Sequence, residues 1–451
     1  MSFWTIAWRN MQQRGLASSL TALNMALGVA VMVCVIVIHS VTVRQFSQDA
    51  QGYHLIVGSG KGSPLELVLS TVFHISKPLY PIPYAAYRDF TDGKYADVTE
   101  VAVPYCLGDS FVAGDDVYRV IGTTPDLFDK IEYGANDDGS GIGYAFRDGR
   151  NMRLENCFEA VVGSVVASRA GLKVGDRFNP THGIGKNGDK HDAFEIVGVL
   201  DSTGTANDRA VFVNIEGFYL LDGHALAPKD EAEAAEIAVG PPRLDEPRGQ
   251  LIPAVCFDNE GNEVTPLAEE LREVTSVLVL CNSNFGPRVL LGTINKDSSS
   301  SAQVVAPGGV VASLLDKIIA PVQVVLLVLT VLVVVVAAVG ILVSIYNSMS
   351  ERAHDIAVMR ALGASRTSVM AIVLFESILL AVLGGVIGLA LGHGLVGLAA
   401  PVVEARTGVQ IAALSFDRWE AAIIPSLVVL ASVVGFLPAV SAYRTDVAKT
   451  L

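Results

Sequence analysis

Charged side chains are scarce in this chain: 17% of 451 residues, against 51% hydrophobic ones. Soluble domains carry roughly 25% charged residues, so the scarcity argues against an ordinary soluble enzyme, and the hydrophobic content excludes a disordered chain. Positive charge is scarcer still, 32 Lys and Arg against 46 Asp and Glu, a net −14. A nucleic-acid binder needs a basic face to meet phosphates, so that class is set aside. The five cysteines include no C-x-x-C pair, which argues against a zinc ribbon or dithiol redox motif. His39, His54, His74, His182, His191, His224 and His393 are read as lying outside the cytoplasm, and none forms an H-E-x-x-H arrangement. No metal ligand is assigned from this pattern. No G-x-S-x-G elbow appears, so a membrane-anchored hydrolase has no constellation to rest on. The string Val57-Gly-Ser-Gly-Lys-Gly-Ser63 is not a Walker A motif, because Gly62 follows Lys61 and Leu55 stands where the first glycine belongs. It reads as a turn leading into a helix at Leu65–Ser70.

What the chain does have is length of apolar run. Four stretches are long enough to span a bilayer, which takes about 20 mostly apolar residues: about 18–43, 318–346, 370–400 and 421–440. The first is too long for the apolar region of a cleaved signal peptide and is read as a retained anchor. Between the first and second lies a block, 44–317, with 23 basic and 39 acidic residues, while the remainder holds 9 and 7. That is a membrane protein with one large water-facing insert. Arg9, Arg14, Arg352, Arg360, Arg366, Arg444 and Lys449 fall on one side of the spans, against Arg406 and Arg418 in the short loop opposite. The excess of Lys and Arg marks the cytoplasmic side, placing both termini inside and the acidic block outside. Residues 1–17 read as an amphipathic helix in the inner interface, where membrane lipid is a partner.

The block at 44–317 alternates strand-like runs (Val98–Val103, Val117–Ile121, Phe194–Leu200, Ala210–Val213) with helical candidates at Pro83–Phe90 and Cys157–Ala170. Mixed elements indicate an α+β domain. Asn136–Gly149 reads as a loop, Lys229–Gln250 as an acidic insertion with three prolines, and Asp297–Gly309 as a linker. Cys106, Cys157, Cys256 and Cys281 lie in the block. Four cysteines allow three pairings, free thiols remain an equal reading, and spacing does not choose. The fold class is thus an α-helical membrane protein with four transmembrane helices and a large α+β extracytoplasmic domain between helices 1 and 2.

Between the second and third spans sits Ser348-Met-Ser-Glu-Arg-Ala-His-Asp-Ile-Ala-Val-Met-Arg-Ala-Leu-Gly-Ala-Ser365. On a helix, Ile356, Met359, Leu362 and Gly363 share a side, with Glu351, Arg352, Asp355 and Arg360 around it. A short amphipathic helix of this kind suits docking into a groove on a soluble partner. Glu376 is an ionisable group one or two turns inside the third span, read as an interface anchor or coupling residue rather than a proton carrier. Gly384, Gly388 and Gly392 recur every four residues, a stripe that lets helices approach closely, within the bundle or across a dimer.

The 348–365 segment, Glu376, the run Gly384–Gly388 and the ending Leu437-Pro-Ala…Ala442-Tyr-Arg…Val447-Ala-Lys-Thr-Leu451 resemble the FtsX/MacB-like permeases of ABC transporters. The resemblance is weaker over Tyr53–Val213, including Glu159–Ala167 and Gly171–Asp176. Where the family often has Glu-Ile-Gly, this chain has Asp355-Ile356-Ala357. The resemblance implies a non-catalytic permease subunit in the bacterial inner membrane. It would be driven by a cytoplasmic ABC ATPase on a separate chain, which holds the ATP and Mg, and this chain would bind no cofactor. The short helix passes the ATPase's movement to the outer domain, for export or extraction of a substrate. It also implies a homo- or heterodimer of permeases and leaves open a periplasmic adaptor or lipoprotein. A signalling device that regulates an outer cell-wall hydrolase is the alternative.

Overall fold

The computed structural model describes residues 3–13, 15–48, 52–75, 80–136, 140–183, 188–226, 252–253, 255–297, 301–351, 363–407 and 416–444. The insertion expected at Lys229–Gln250 and most of the helix expected over 348–365 lie outside the described residues. The chain divides into a sheet unit, built chiefly of Arg44–Leu315, and a helical unit made of the flanking segments.

Among the described residues ten strands form the main sheet of the sheet unit. In chain order they are β1 (Leu55–Ser59), β2 (Thr99–Ala113), β3 (Asp116–Thr123), β4 (Phe146–Gly149), β5 (Glu159–Val162), β6 (Arg177–Phe178), β7 (Phe194–Leu200), β8 (Ala210–Asn214), β9 (Ser276–Cys281) and β10 (Ala302–Val305). Their spatial order is β10-β1-β9-β2-β3-β8-β5-β7-β4, with β6 added on β7. The pairs β3/β8 and β5/β7 are parallel and the other pairs antiparallel. The first half of β2 pairs with β9 and its second half with β3, so this strand joins the two halves of the sheet. Alternation along β2 sends Ala102 and Cys106 to one apolar cluster and Val101, Val103 and Tyr105 to another. The sheet is thus covered on both faces, and an α+β architecture follows.

Several expectations shift. Cys157–Ala170 is not one helix: Glu159–Val162 is the buried strand β5, and the helix begins at Ser164. The buried apolar run Ala160–Val162 is too short for periodicity to separate a strand from a helix, and its β-branched valines suit the strand. The loop expected over Asn136–Gly149 holds the short strand Gly141–Gly143 as well as β4. The linker expected over Asp297–Gly309 contains β10, an edge strand, and the start of the helix Pro307–Leu314. The Val57–Ser63 string begins as a buried strand. Its turn is closed by the Gln303 amide donating to the Ser59 and Gly62 carbonyls. Ser63 then caps the helix Pro64–Thr71 by accepting from the Glu66 N–H.

The structure realises none of the three full pairings: Cys157 and Cys256 form one disulfide, with Cα atoms 5.7 Å apart. Cys106 and Cys281 are buried free thiols. Burial pushes the Cys106 thiol up to about 12 and the Cys281 thiol up to about 11, so both stay protonated and inert at neutral pH.

Among the described residues the helical unit has the long helices Gly15–Gln48, Ala320–Glu351, Arg366–Thr407 and Ile423–Arg444, and the shorter Phe3–Gln13. Of these described residues, the stretches Ser18–Val41 and Arg366–Val403 are long and apolar enough to cross a membrane. Val324–Gly340 and Glu420–Phe436 are shorter apolar segments. Met11 of Phe3–Gln13 packs with Leu379 and Leu380. His39 and His393 sit within the long helices Gly15–Gln48 and Arg366–Thr407. His393 is buried, with its Nε2 2.7 Å from Glu420 Oε2. The Ser40 hydroxyl donates to Asp417 at 2.6 Å.

Candidate functional site

In the helical unit, the residues singled out from sequence divide into those described and those not. Arg352, Asp355, Ile356, Met359, Arg360 and Leu362 lie outside the described residues. Glu351 ends the helix Ala320–Glu351, and Gly363 adopts φ +101°, a left-handed conformation open to glycine. Glu376 is buried on the helix Arg366–Thr407.

Gly384, Gly388 and Gly392 face the helix Gly15–Gln48. A Cβ placed on them would stand 2.8 Å from Met25 Cβ, 2.5 Å from Val29 Cβ and 2.7 Å from Val33 Cβ. Each glycine thus opposes a residue of the matching four-residue ridge, and the stripe serves packing within the chain. Gly388→Leu is expected to force the two helices apart, at about 1–3 kcal/mol for overpacking. Gly394→Ala on the same helix, with nothing within 4 Å of the added carbon, is the control. Thermal stability in detergent reads the difference, and equal melting of the two variants would refute the seam.

The sheet unit assembles a constellation that sequence did not single out. β2 carries a bulge: Leu107 pairs with Ile121 and Asp109 with Val120, leaving Gly108 extra. A bulge re-aims the side chains that follow it, and Phe111 accordingly joins the face of Ala102 and Cys106. Asp109, just past the bulge, is fully buried. A pair of loop segments supplies two histidines. Thr181 bridges to Ser110 on one side and to Lys190 on the other. The His182 N–H donates to the Asp189 carbonyl, and the His191 N–H to the Pro180 carbonyl. His224 follows the helix Ile215–Leu220, with its ring 4.3 Å from that of Phe218.

Asp109 Oδ1 lies 3.2 Å from His224 Nε2 and 3.7 Å from His182 Nδ1, and Oδ2 lies 3.5 Å from His191 Nε2. His182 Nδ1 and His191 Nε2 are 3.3 Å apart. The three imidazole rings stand 5.3, 5.3 and 5.4 Å from one another. One ligand atom from each of the four residues fits within 4.8 Å of all the others, a group able to hold a metal ion. Burial lowers the His191 pKa, while the neighbouring Asp109 carboxylate pulls it back up. None of the four was assigned as a ligand from sequence. The one available signal was three histidines gathered in the turn-rich segments 182–224.

Comparison with known proteins bears on both units. The family described as MacB-like periplasmic core domain matches residues 18–239, and the family described as FtsX-like permease C-terminal matches residues 327–447. An uncharacterised ABC transporter permease of Methanocaldococcus jannaschii is 25% identical over 267 residues, 58% of this chain and 53% of that protein. The matched region thus spans about half of that relative's length. A crystallised domain of a permease protein from Porphyromonas gingivalis overlays with a TM-score of 0.27 at 10% identity, over 56% of this chain and 86% of that domain. A likeness at that score carries no argument.

Proposed function

We propose, from the premise that the chain belongs to the FtsX/MacB-like family of ABC transporter permeases, that it is the membrane subunit of a transporter driven by a separate cytoplasmic ATPase. The observation that carries this reading is the order of the two matched regions, with the periplasmic core domain family ahead of the FtsX-like C-terminal region. In the proposal all four long helices cross the membrane, both termini are cytoplasmic and the sheet unit faces outward. Residues 348–365 dock on the ATPase. ATP-driven closure of two ATPases moves two such helices, so the permease works as a dimer. The outer units shift in response, to export a substrate or extract it from the outer leaflet. The helices carry few charges to line a polar path, which favours mechanical transmission over conduction through the bundle.

The test is capture of the tagged protein from native membranes, with mass spectrometry of what remains bound. An ABC ATPase in the eluate is the expected result. Repeated eluates without one would mean that the family assignment describes ancestry rather than function.

A further inference from the structure

We propose that Asp109, His182, His191 and His224 form a binding site for one divalent transition-metal ion of zinc-like ligand preference, loaded from solvent. The first argument is an unmet electrostatic need. Among the described residues of the sheet unit, the other buried carboxylates are answered. Asp126 has Lys130 at 2.9 Å, Glu159 has Arg150, the Arg153 N–H and Asn156, and Asp208 has the Thr203 and Gly204 N–H groups and the Ser202 and Thr203 hydroxyls. Glu216 has both arms of Arg272. Asp109 is as buried as any of them, yet neither of its carboxylate oxygens has a hydrogen bond, and His224 Nε2 lacks one too. Buried polar atoms are normally satisfied, and exceptions point to an ion or a functional role. Here a carboxylate oxygen and one nitrogen from each of three imidazoles gather within 4.8 Å of one another, and a cation among them would satisfy all four.

The second argument is metric. A tetrahedral site with bonds of roughly 2.0–2.1 Å has ligand–ligand edges of about 3.3 Å. Asp109 Oδ1 stands 3.2 and 3.7 Å from His224 and His182, Oδ2 stands 3.5 Å from His191, His182 and His191 are 3.3 Å apart, and one ligand atom from each residue lies within 4.8 Å of the others. Ligation therefore needs side-chain adjustments of at most about 1.5 Å.

The donor set selects the ion. Three imidazole nitrogens and one carboxylate oxygen suit Zn(II) and its borderline neighbours, whereas Mg(II) and Ca(II) prefer shells made of oxygen, and Cu(I) prefers sulfur. Access selects the mode of use. Asp109, His191 and His224 side chains are 0%, 7% and 8% exposed, but His182 is 52% exposed. One corner of the tetrahedron faces solvent, so the ion enters and leaves through His182 without unfolding of the sheet.

The full-length protein, purified in detergent and stripped with a chelator, is titrated with Zn(II), and Co(II) serves as an absorbance probe of tetrahedral geometry. We expect one Zn(II) per chain, tetrahedral Co(II) bands, and no competition from a large excess of Mg(II) or Ca(II). His182→Ala, at the exposed corner, leaves the fold intact and weakens binding more than about 100-fold, beyond the 10–100-fold typical of outer-shell partners. His191→Ala does the same, and His54→Ala, outside the cluster, changes nothing. Absence of stoichiometric Zn(II), or unchanged affinity in a folded His182→Ala protein, overturns the proposal. The readout needs no ATPase, so this result stands or falls apart from the transport reading.

Discussion

Arg272→Ala is expected to destabilise the sheet unit by about 3–5 kcal/mol, the usual consequence of removing one partner of a buried ion pair. Arg272 and Glu216 side chains are 0% and 2% exposed and joined by two parallel bonds of 2.9 and 2.7 Å. The guanidinium also donates through Nε to the Leu267 carbonyl. Its centre lies 5.5 and 4.9 Å from the rings of Tyr84 and Tyr219. Alanine removes all of this at once and leaves the Glu216 carboxylate buried without a counter-charge. At about 2–4 °C per kcal/mol for a unit of this size, the melting transition of the sheet unit should fall by roughly 6–20 °C. The paired replacement of Arg272 by Met and Glu216 by Leu removes both charges and should recover much of the loss, since apolar substitutes for a buried pair are often neutral. The full-length protein in detergent, followed by a thermal-unfolding scan, separates the cases. If the single and double variants melt alike, the cost lies in lost packing and not in the orphaned carboxylate.

That pair was invisible in the sequence, where Glu216 and Arg272 are two charges among the many of an acidic block. Only the strand order brings the helix after β8 beside the segment before β9. The same holds for the metal cluster. Asp109 lies on a strand whose parity is reversed by a one-residue bulge, and period-two alternation read from the sequence cannot anticipate the reversal. His182, His191 and His224 meet because a loop pairing and a helix end place them together. Local signals fared better. The runs Val117–Ile121, Phe194–Leu200 and Ala210–Val213 all lie in strands, because β-branched residues between turn residues leave few alternatives. The Glu159–Val162 run misled, since its apolar residues suit a buried strand and a helix start equally. The glycine stripe was legible as a close-packing face, but only the contacts with Met25, Val29 and Val33 name its partner.

Reversing both arginines of the segment between the second and third long helices, Arg352→Glu with Arg360→Glu, is expected to abolish retention of the ATPase captured by the unaltered protein. On a helical projection the apolar side formed by Ile356, Met359 and Leu362 is what a groove would bury, and the two arginines border it. Charges at the border of a docking face fix orientation and exclude wrong partners. Juxtaposing like charges there costs several kcal/mol, while losing a buried charge pair costs about 2–5 kcal/mol. Two reversals together should therefore weaken association at least about 100-fold, which is roughly 2.7 kcal/mol. Arg352→Lys, which keeps the charge, should retain most of the ATPase. Five other Lys and Arg on that side (Arg9, Arg14, Arg366, Arg444 and Lys449) still outnumber Arg406 and Arg418 opposite, so the apolar helices are expected to insert in the same orientation. The amount of permease in the membrane fraction checks this directly. Undiminished co-purification with both arginines reversed would remove the docking role from 348–365. Loss of the permease itself from the membrane would instead show that the segment acts in assembly, before any ATPase is engaged.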